Sequence, residues 1–197
     1  LAVPRLARAL GLLAPDPRLF YLPDQEGLGK YRGYISDEVV MLERRPNEPD
    51  EGVLPASLAG FPSPEGETHF RSVDETLEKV MEKPWKHHLD QEAMLRARLL
   101  DLFVGDWDRH RGQWTFAVTP NGDGSKTYTP VPRDRDQAMS NYDGLGLALA
   151  RIGTPMARNL QPFRADYGSV GWLIYSARDI DPVLLNRLPR ARWLKIA

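Results

Sequence analysis

Cysteine is absent from all 197 residues, which excludes a disulfide framework and any thiolate metal site. It does not separate a reducing compartment from an oxidising one. An excess of one charge is also lacking. With 26 Lys and Arg against 27 Asp and Glu, the formal net charge is -1. No global basic field therefore holds nucleic acid or anionic lipid, and only local patches such as Arg133 and Arg135 remain. Apolar runs are short. None approaches the ~20 residues that a membrane helix requires, and no secretory leader opens the chain. No direct membrane span and no nucleic-acid partner are expected. The first residue is Leu rather than Met, and the expectation is a processed or excised chain with further sequence upstream.

What is plentiful is proline and glycine, 17 and 16 residues. They concentrate in residues 44–67, RRPNEPDEGVLPASLAGFPSPEGE, a composition that resists regular structure. The segment reads as a long connecting loop, and it divides the chain into a small N-terminal part (1–45), the connector (46–70) and a larger C-terminal part (71–197).

In the first part, Val3, Leu6, Leu10 and Leu13 recur at helical spacing. Residues 18–23 read as a short strand, and 31–44 as two strands or one strand broken near Ser36-Asp37. In the last part, Ser72 followed by Glu75 has the form of a capping box. It opens a helix over 73–83 with Val73, Leu77, Val80 and Met81 as its buried stripe, stopped by Pro84. Asp90 is a natural N-cap for a helix over 91–104, with Met94, Leu95, Leu99, Leu102 and Phe103 as its apolar face. His87-His88 sits in a polar segment and reads as surface. Residues 113–119 alternate, 126–132 are extended, and Asn121-Gly122 and Asp123-Gly124 lie between them, which predicts a hairpin. Two further helices are expected at 143–151 and 181–188, the second with Asp181-Pro182 as N-cap and first residue. Strands first, then helices with one inserted hairpin, is an α+β order rather than alternating βαβ.

Chemistry concentrates at the two outer ends of that hairpin, in Gly105-Asp106-Trp107-Asp108-Arg109-His110-Arg111-Gly112-Gln113-Trp114 and in Pro132-Arg133-Asp134-Arg135-Asp136-Gln137. Paired strands lie about 4.8 Å apart, so Asp108, Gln113 and Asp134 or Asp136 are expected to converge. If 133–136 continued as a strand, both Asp side chains would face one way and both Arg side chains the other. Carboxylates and an amide, with no thiol, suit a hard cation such as Mg²⁺, which commonly carries substrate phosphates. An Asp followed five positions on by an amide, then a hairpin, then a second Asp is also the order of the phosphoryl-transfer loop in protein kinases. The plainer readings are that Asp106 binds amides of its own loop, that Trp107 and Trp114 are packing residues, and that the Arg-Asp run is a solvated ladder.

The strings DWDRHRGQW and PVPRDRDQAM resemble the atypical kinase-like families, namely the HipA-type, spore-coat CotH-type and secretory-pathway Golgi kinases and, more remotely, the phosphoinositide kinases. They look closest to a kinase-like module of bacterial envelope proteins that shares GDWDRH, a following QW, and PRDRDQ. The likeness covers about residues 90–145. It implies a kinase-like large lobe, mainly helical with an inserted hairpin, and a partial small-lobe remnant of strands at the N-terminus. It implies Mg²⁺ and ATP as cofactors, a hydroxyl acceptor of unknown identity, and a bacterial envelope or cytoplasmic setting. Carried over by position, Asp108 is the catalytic base, Arg109 and His110 shape its loop, Gln113 takes the metal-binding amide position on the nucleotide side, and Asp134 or Asp136 takes the second metal position. Glu43 is a nucleotide-side candidate able to pair with a site cation, although a rim salt bridge is the plainer reading. Gln113 departs from the family's Asn, and Gly27-Leu28-Gly29-Lys30 does not fit a phosphate loop. The alternatives are an inactive kinase-like scaffold and, with weaker support, a metallophosphoesterase, whose Gly-Asp loop spacing and partner His motifs are not met.

Overall fold

The computed structural model describes residues 2–15, 17–43 and 69–197. The connector expected at 46–70 lies almost entirely outside the described residues. The order is α1 (Ala2–Ala9), β1 (Arg18–Leu22), α2 (Arg32–Ile35), β2 (Glu38–Leu42), β3 (His69–Arg71), α3 (Val73–Glu82), β4 (His87–Leu89), α4 (Gln91–Val104), β5 (Trp114–Pro120), β6 (Lys126–Pro132), α5 (Leu145–Gly153), α6 (Val170–Leu173), α7 (Asp181–Leu184) and α8 (Arg190–Ile196). It is an α+β protein. A four-stranded sheet runs β3-β5-β6-β4, with β4 parallel to β6 and the other pairs antiparallel, and β1 and β2 form a separate antiparallel ribbon.

The β5–β6 hairpin organises the sheet. Its register runs from Trp114↔Pro132 to Pro120↔Lys126. The turn is closed by Asn121 N donating to Ser125 O at 2.8 Å and by Asp123 Oδ1 accepting from Ser125 N at 2.9 Å. Trp114, Phe116 and Val118 enter the main core, while Ala117 packs with Val131 on the other face. α4 lies against β6, α1 and α8, and its Met94, Leu95 and Leu100 join that core.

α3 and α4 begin as the sequence dictates. Ser72 and Glu75 complete a capping box, and Asp90 accepts from Ala93 N at 2.9 Å. Their buried faces differ from the expected stripes. On α3, Thr76 is buried and Met81 is exposed; on α1, Ala7 is buried, and beyond its end Leu10 is exposed and Leu12 buried. On α4, Phe103 is exposed, whereas Arg98 and Asp101 are buried, because these two ions have partners described below.

Other expectations are corrected. Residues 32–35 are helical, preceded by a 3-10 turn over Glu26–Tyr31, so only 38–42 of the stretch 31–44 is strand. His88 is exposed, as expected, but His87 is half-buried; both belong to β4, and Tyr128 Oη lies 3.0 Å from His87 Nδ1. α5 begins at Leu145, with Leu145, Leu149 and Ile152 exposed. α7 is four residues long and starts at Asp181, with Ile180 in the N-cap position. Among the described residues no helix is long and apolar enough to cross a membrane.

α4 ends at Gly105, which takes φ +73 and donates to the carbonyls of Asp101 and Leu102. A Cβ there would lie 2.6 Å from Tyr167 Oη. Left-handed backbone and steric contact both oppose a side chain, so Gly105→Ala is expected to cost about 1–3 kcal/mol. Urea melts test this, and Tyr167→Phe, by removing the crowding hydroxyl, should recover part of the loss.

Candidate functional site

The loop after α4 is held by a buried cluster of ions. Asp101 faces inward from α4 and meets Arg98 at 3.0 Å, Arg109 at 3.2 Å and Arg135 at 3.1 Å. Asp106 pairs with Arg109, and Asp181 with Arg98 at 2.9 Å. Three guanidiniums thus balance three carboxylates. Asp101, Asp106 and Arg109 are each at most 1% exposed, so every one depends on its partners for the solvation that burial removes.

Arg109 is the hub. Beyond its two carboxylates, it donates from Nη2 to the carbonyl of Asp134 at 2.8 Å and from Nη1 to that of Arg133. It lies over the Trp114 ring at 5.8 Å, and its own amide donates to Ser176 Oγ at 3.1 Å. One planar fork therefore ties the Asp108 loop, the end of β6 and the C-terminal part into one unit. Arg109 holds the loop rather than facing solvent, consistent with the shaping role expected for it.

Charges in the cluster are not equally comfortable. Burial pushes the Asp101 carboxyl up, but Arg109, Arg135 and Arg98 outweigh it and hold it below the usual carboxylate range. Asp106 is pushed up to about 6, mainly by burial, with Arg109 opposing and Asp101 adding to the rise. Asp106 has one arginine where Asp101 has three, so it takes the first proton as pH falls. Between about pH 4 and 6 the folded chain holds a proton on Asp106 that the unfolded chain does not. This carboxyl's contribution to stability is therefore greatest below that range and declines as pH rises through about 6, while that of Asp101 is present above its ordinary value and lost in acid. Asp106→Asn is neutral throughout. Its melting temperature relative to the parent should be more favourable at about pH 7.5 than at about pH 5. A difference that stays constant across that window would contradict this account.

His110 caps the 3-10 turn Arg111–Gln113, with Nδ1 accepting from Gly112 N at 3.0 Å. Accepting at Nδ1 leaves the ring proton on Nε2, which lies 4.0 Å from Asp108 Oδ1. A Cβ on Gly112 would come within 2.9 Å of the His110 ring, so this glycine keeps the imidazole beside Asp108. Asp106 Oδ1 accepts from Asp108 N at 3.3 Å, the local role expected of Asp106. The Asp108 side chain is 28% exposed.

The two loops meet through their backbones. Arg133 N donates to Gln113 O at 2.8 Å, next to the Trp114↔Pro132 pair. Residues 133–136 do not continue the strand, which ends at Pro132, and Asp134 has φ +47. The expected sorting of both Asp to one face and both Arg to the other does not result: Arg133 and Arg135 line different cavities, and Arg135 shares its cavity with both Asp residues. Arg135 also reaches Asp101, while Asp134 and Asp136 are exposed and neither carboxylate has an ion-pair or hydrogen-bond partner among the described residues. Both line a cavity of about 230 Å³ with Glu43 and Arg135, walled by Pro4, Pro15, Pro17 and Met41. Glu43 thus joins the two acidic residues. Asp108, His110 and Gln113 do not line that cavity. Among the described residues, no three acidic or imidazole side chains gather as one metal-binding group.

Arg98, Asp101, Arg135 and Asp181 are the site-supporting residues that sequence reasoning missed. One signal was available: Asp101 interrupts the apolar run Leu99-Leu100-Asp101-Leu102-Phe103, and an acid within such a run calls for a buried cation. No family model, curated protein or solved structure matches the chain.

Proposed function

We propose that the chain is a Mg²⁺-dependent, kinase-like phosphotransferase domain that moves the terminal phosphoryl group of ATP to a hydroxyl acceptor. The observation that carries this reading is the Arg109 clamp, which fixes the Asp108 loop against the Asp134 loop while the carboxylates of Asp134 and Asp136 have no partner among the described residues. Unpaired carboxylates on a rigid support suit a hard divalent cation, which takes one or two of them and completes its shell with phosphate and water. Bound there, Mg²⁺ would neutralise phosphate charge. The chain's own contributions follow from position. Asp134 and Asp136 would hold the cation, and the Pro4, Pro15, Pro17 and Met41 wall offers an apolar surface for a base. Asp108 would orient the acceptor hydroxyl and take its proton, with His110 Nε2–H beside it to steady the carboxylate. The cavity is below the ~300 Å³ of typical small-molecule sites, so a nucleotide would extend beyond it.

The second reading, an inactive kinase-like scaffold, draws on Gln113, one methylene longer than the family's Asn. It predicts no Mg²⁺-dependent nucleotide binding. Thermal melts with Mg·ATP, with ATP alone and with Mg²⁺ alone separate the two readings. Stabilisation that needs both components and disappears in the double variant Asp134→Ala plus Asp136→Ala is the expected result for the phosphotransferase. At a ligand concentration 100 times Kd, the gain is about 2.7 kcal/mol. No shift under any condition would favour the scaffold.

A further inference from the structure

A second cavity, about 560 Å³, opens on the other side of the Asp108–Gln113 loop. Its wall includes Arg71 at the end of β3, the first turn of α3, Arg111 and Gly112 of the loop, Trp114, and Arg133 at the end of β6. Three guanidiniums thus come from three separate elements. The acids in the wall are already engaged. Asp74 pairs with Arg111. Glu75 accepts from Ser72 N at 2.8 Å and Ser72 Oγ at 2.9 Å, and meets Arg71 at 3.4 Å. Among the described residues Arg133 has no carboxylate partner, and its one side-chain hydrogen bond is to Thr115 Oγ1 at 3.5 Å, a limiting distance.

One further feature favours an anion. α3 has ten residues, and its capping uses the amides of Ser72, Glu75 and Thr76. The amides of Val73 and Asp74 lie at its positive end. Forked guanidiniums beside helix amides form a lining that recognises a tetrahedral oxyanion. The volume lies within the ~300–1,000 Å³ of organic ligand sites, which favours an ester over the free ion.

We propose that this cavity binds the phosphate group of an organic phosphate monoester, with Arg133 as its principal anchor and Arg111 and Arg71 beside it. That this monoester is the hydroxyl acceptor of the Asp108 loop rests on the phosphotransfer reading; the binding itself does not.

The test is calorimetric titration of the full chain in EDTA, without nucleotide and at constant ionic strength, with glycerol 3-phosphate, inorganic phosphate and glycerol as probes. Working without metal or nucleotide separates a failure here from a failure of the Mg·ATP site. Saturable binding of glycerol 3-phosphate is expected, none of glycerol, and a loss of about tenfold or more in Arg133→Gln. Arg5→Gln, on the exposed side of α1, should bind like the parent. If Arg133→Gln melts far below the parent, Arg111→Gln is read by the same criterion. Saturation by inorganic phosphate alone would identify the free ion as the source and overturn the ester. Equal affinity in the Arg133, Arg111 and Arg5 variants, or no saturable binding of either phosphate at millimolar concentration, would overturn the site altogether.

Discussion

Arg109→Ala is expected to lower stability by about 3–5 kcal/mol, the usual cost of removing one partner from a buried ion cluster. For a chain of 197 residues, that is a fall in melting temperature of roughly 6–20 °C. The size follows from what would be left behind. Asp101 would keep Arg98 and Arg135, but Asp106 would be buried with no ion-pair partner among the described residues. The carbonyls of Arg133 and Asp134 would lose their donors. Lysine at 109 keeps the charge but cannot serve two carboxylates and two carbonyls from one nitrogen, so it should recover only part of the loss.

A stranded carboxylate can relieve its burial by taking a proton. The cost of Arg109→Ala should therefore be smaller at about pH 5 than at about pH 7.5. Adding Asp106→Asn should return roughly 1–2 kcal/mol at the higher pH, a coupling typical of residues in direct contact. Urea melts of the two single variants and the double variant measure both effects. A loss below about 1 kcal/mol for Arg109→Ala, or strictly additive variants, would mean that the cluster does not hold the two loops as described.

The hairpin, both helix caps and the bounds of α4 were legible because their determinants are local. An Asn-Gly/Asp-Gly turn, a Ser with Glu three residues on, and an Asp before an apolar periodic run act over a few positions. The buried side of α4 was not legible in the same way. Periodicity assigned Phe103 inward and said nothing of Arg98 or Asp101. The inward positions of those ions depend on Arg109, Arg135 and Asp181, which are 8 to 83 residues away along the chain. The candidate site divides along the same line. That the two polar clusters meet could be read from strand pairing. How they meet could not, because Asp134 leaves the strand with positive φ and turns its segment so that Arg135 points inward. In the 31–44 stretch the sequence suggested two strands or one strand broken near Ser36-Asp37; Arg32–Ile35 instead closes a helical turn, and Asp37, at φ 59, redirects the chain into β2.

Asp108→Asn is expected to reduce phosphoryl transfer by about 10²–10⁴-fold, the range for loss of a positioned proton acceptor, while leaving the Mg·ATP melting shift intact. The substitution keeps the shape of the side chain and removes only its capacity to accept the acceptor's proton. Its structural cost should be small. The carboxylate is partly exposed, and its one pairing among the described residues is with His110 Nε2 at 4.0 Å. The loop's conformation depends on the Asp108 amide, His110 Nδ1 and the Arg109 fork, none of which changes. A melting temperature close to the parent's would separate this variant from Arg109→Ala, which should lose transfer because the loop moves. It would also separate it from the Asp134/Asp136 double variant, which should lose the nucleotide shift. Transfer is read as incorporation of labelled phosphate, including into the chain itself, since the acceptor is defined only as a hydroxyl. An Asp108→Asn chain as active as the parent would strip the loop of its base and leave it a structural turn. A parent that binds Mg·ATP but transfers nothing to any hydroxyl offered would be a nucleotide-binding but inactive domain, fitting neither reading, with Gln113 as the residue to exchange first for Asn.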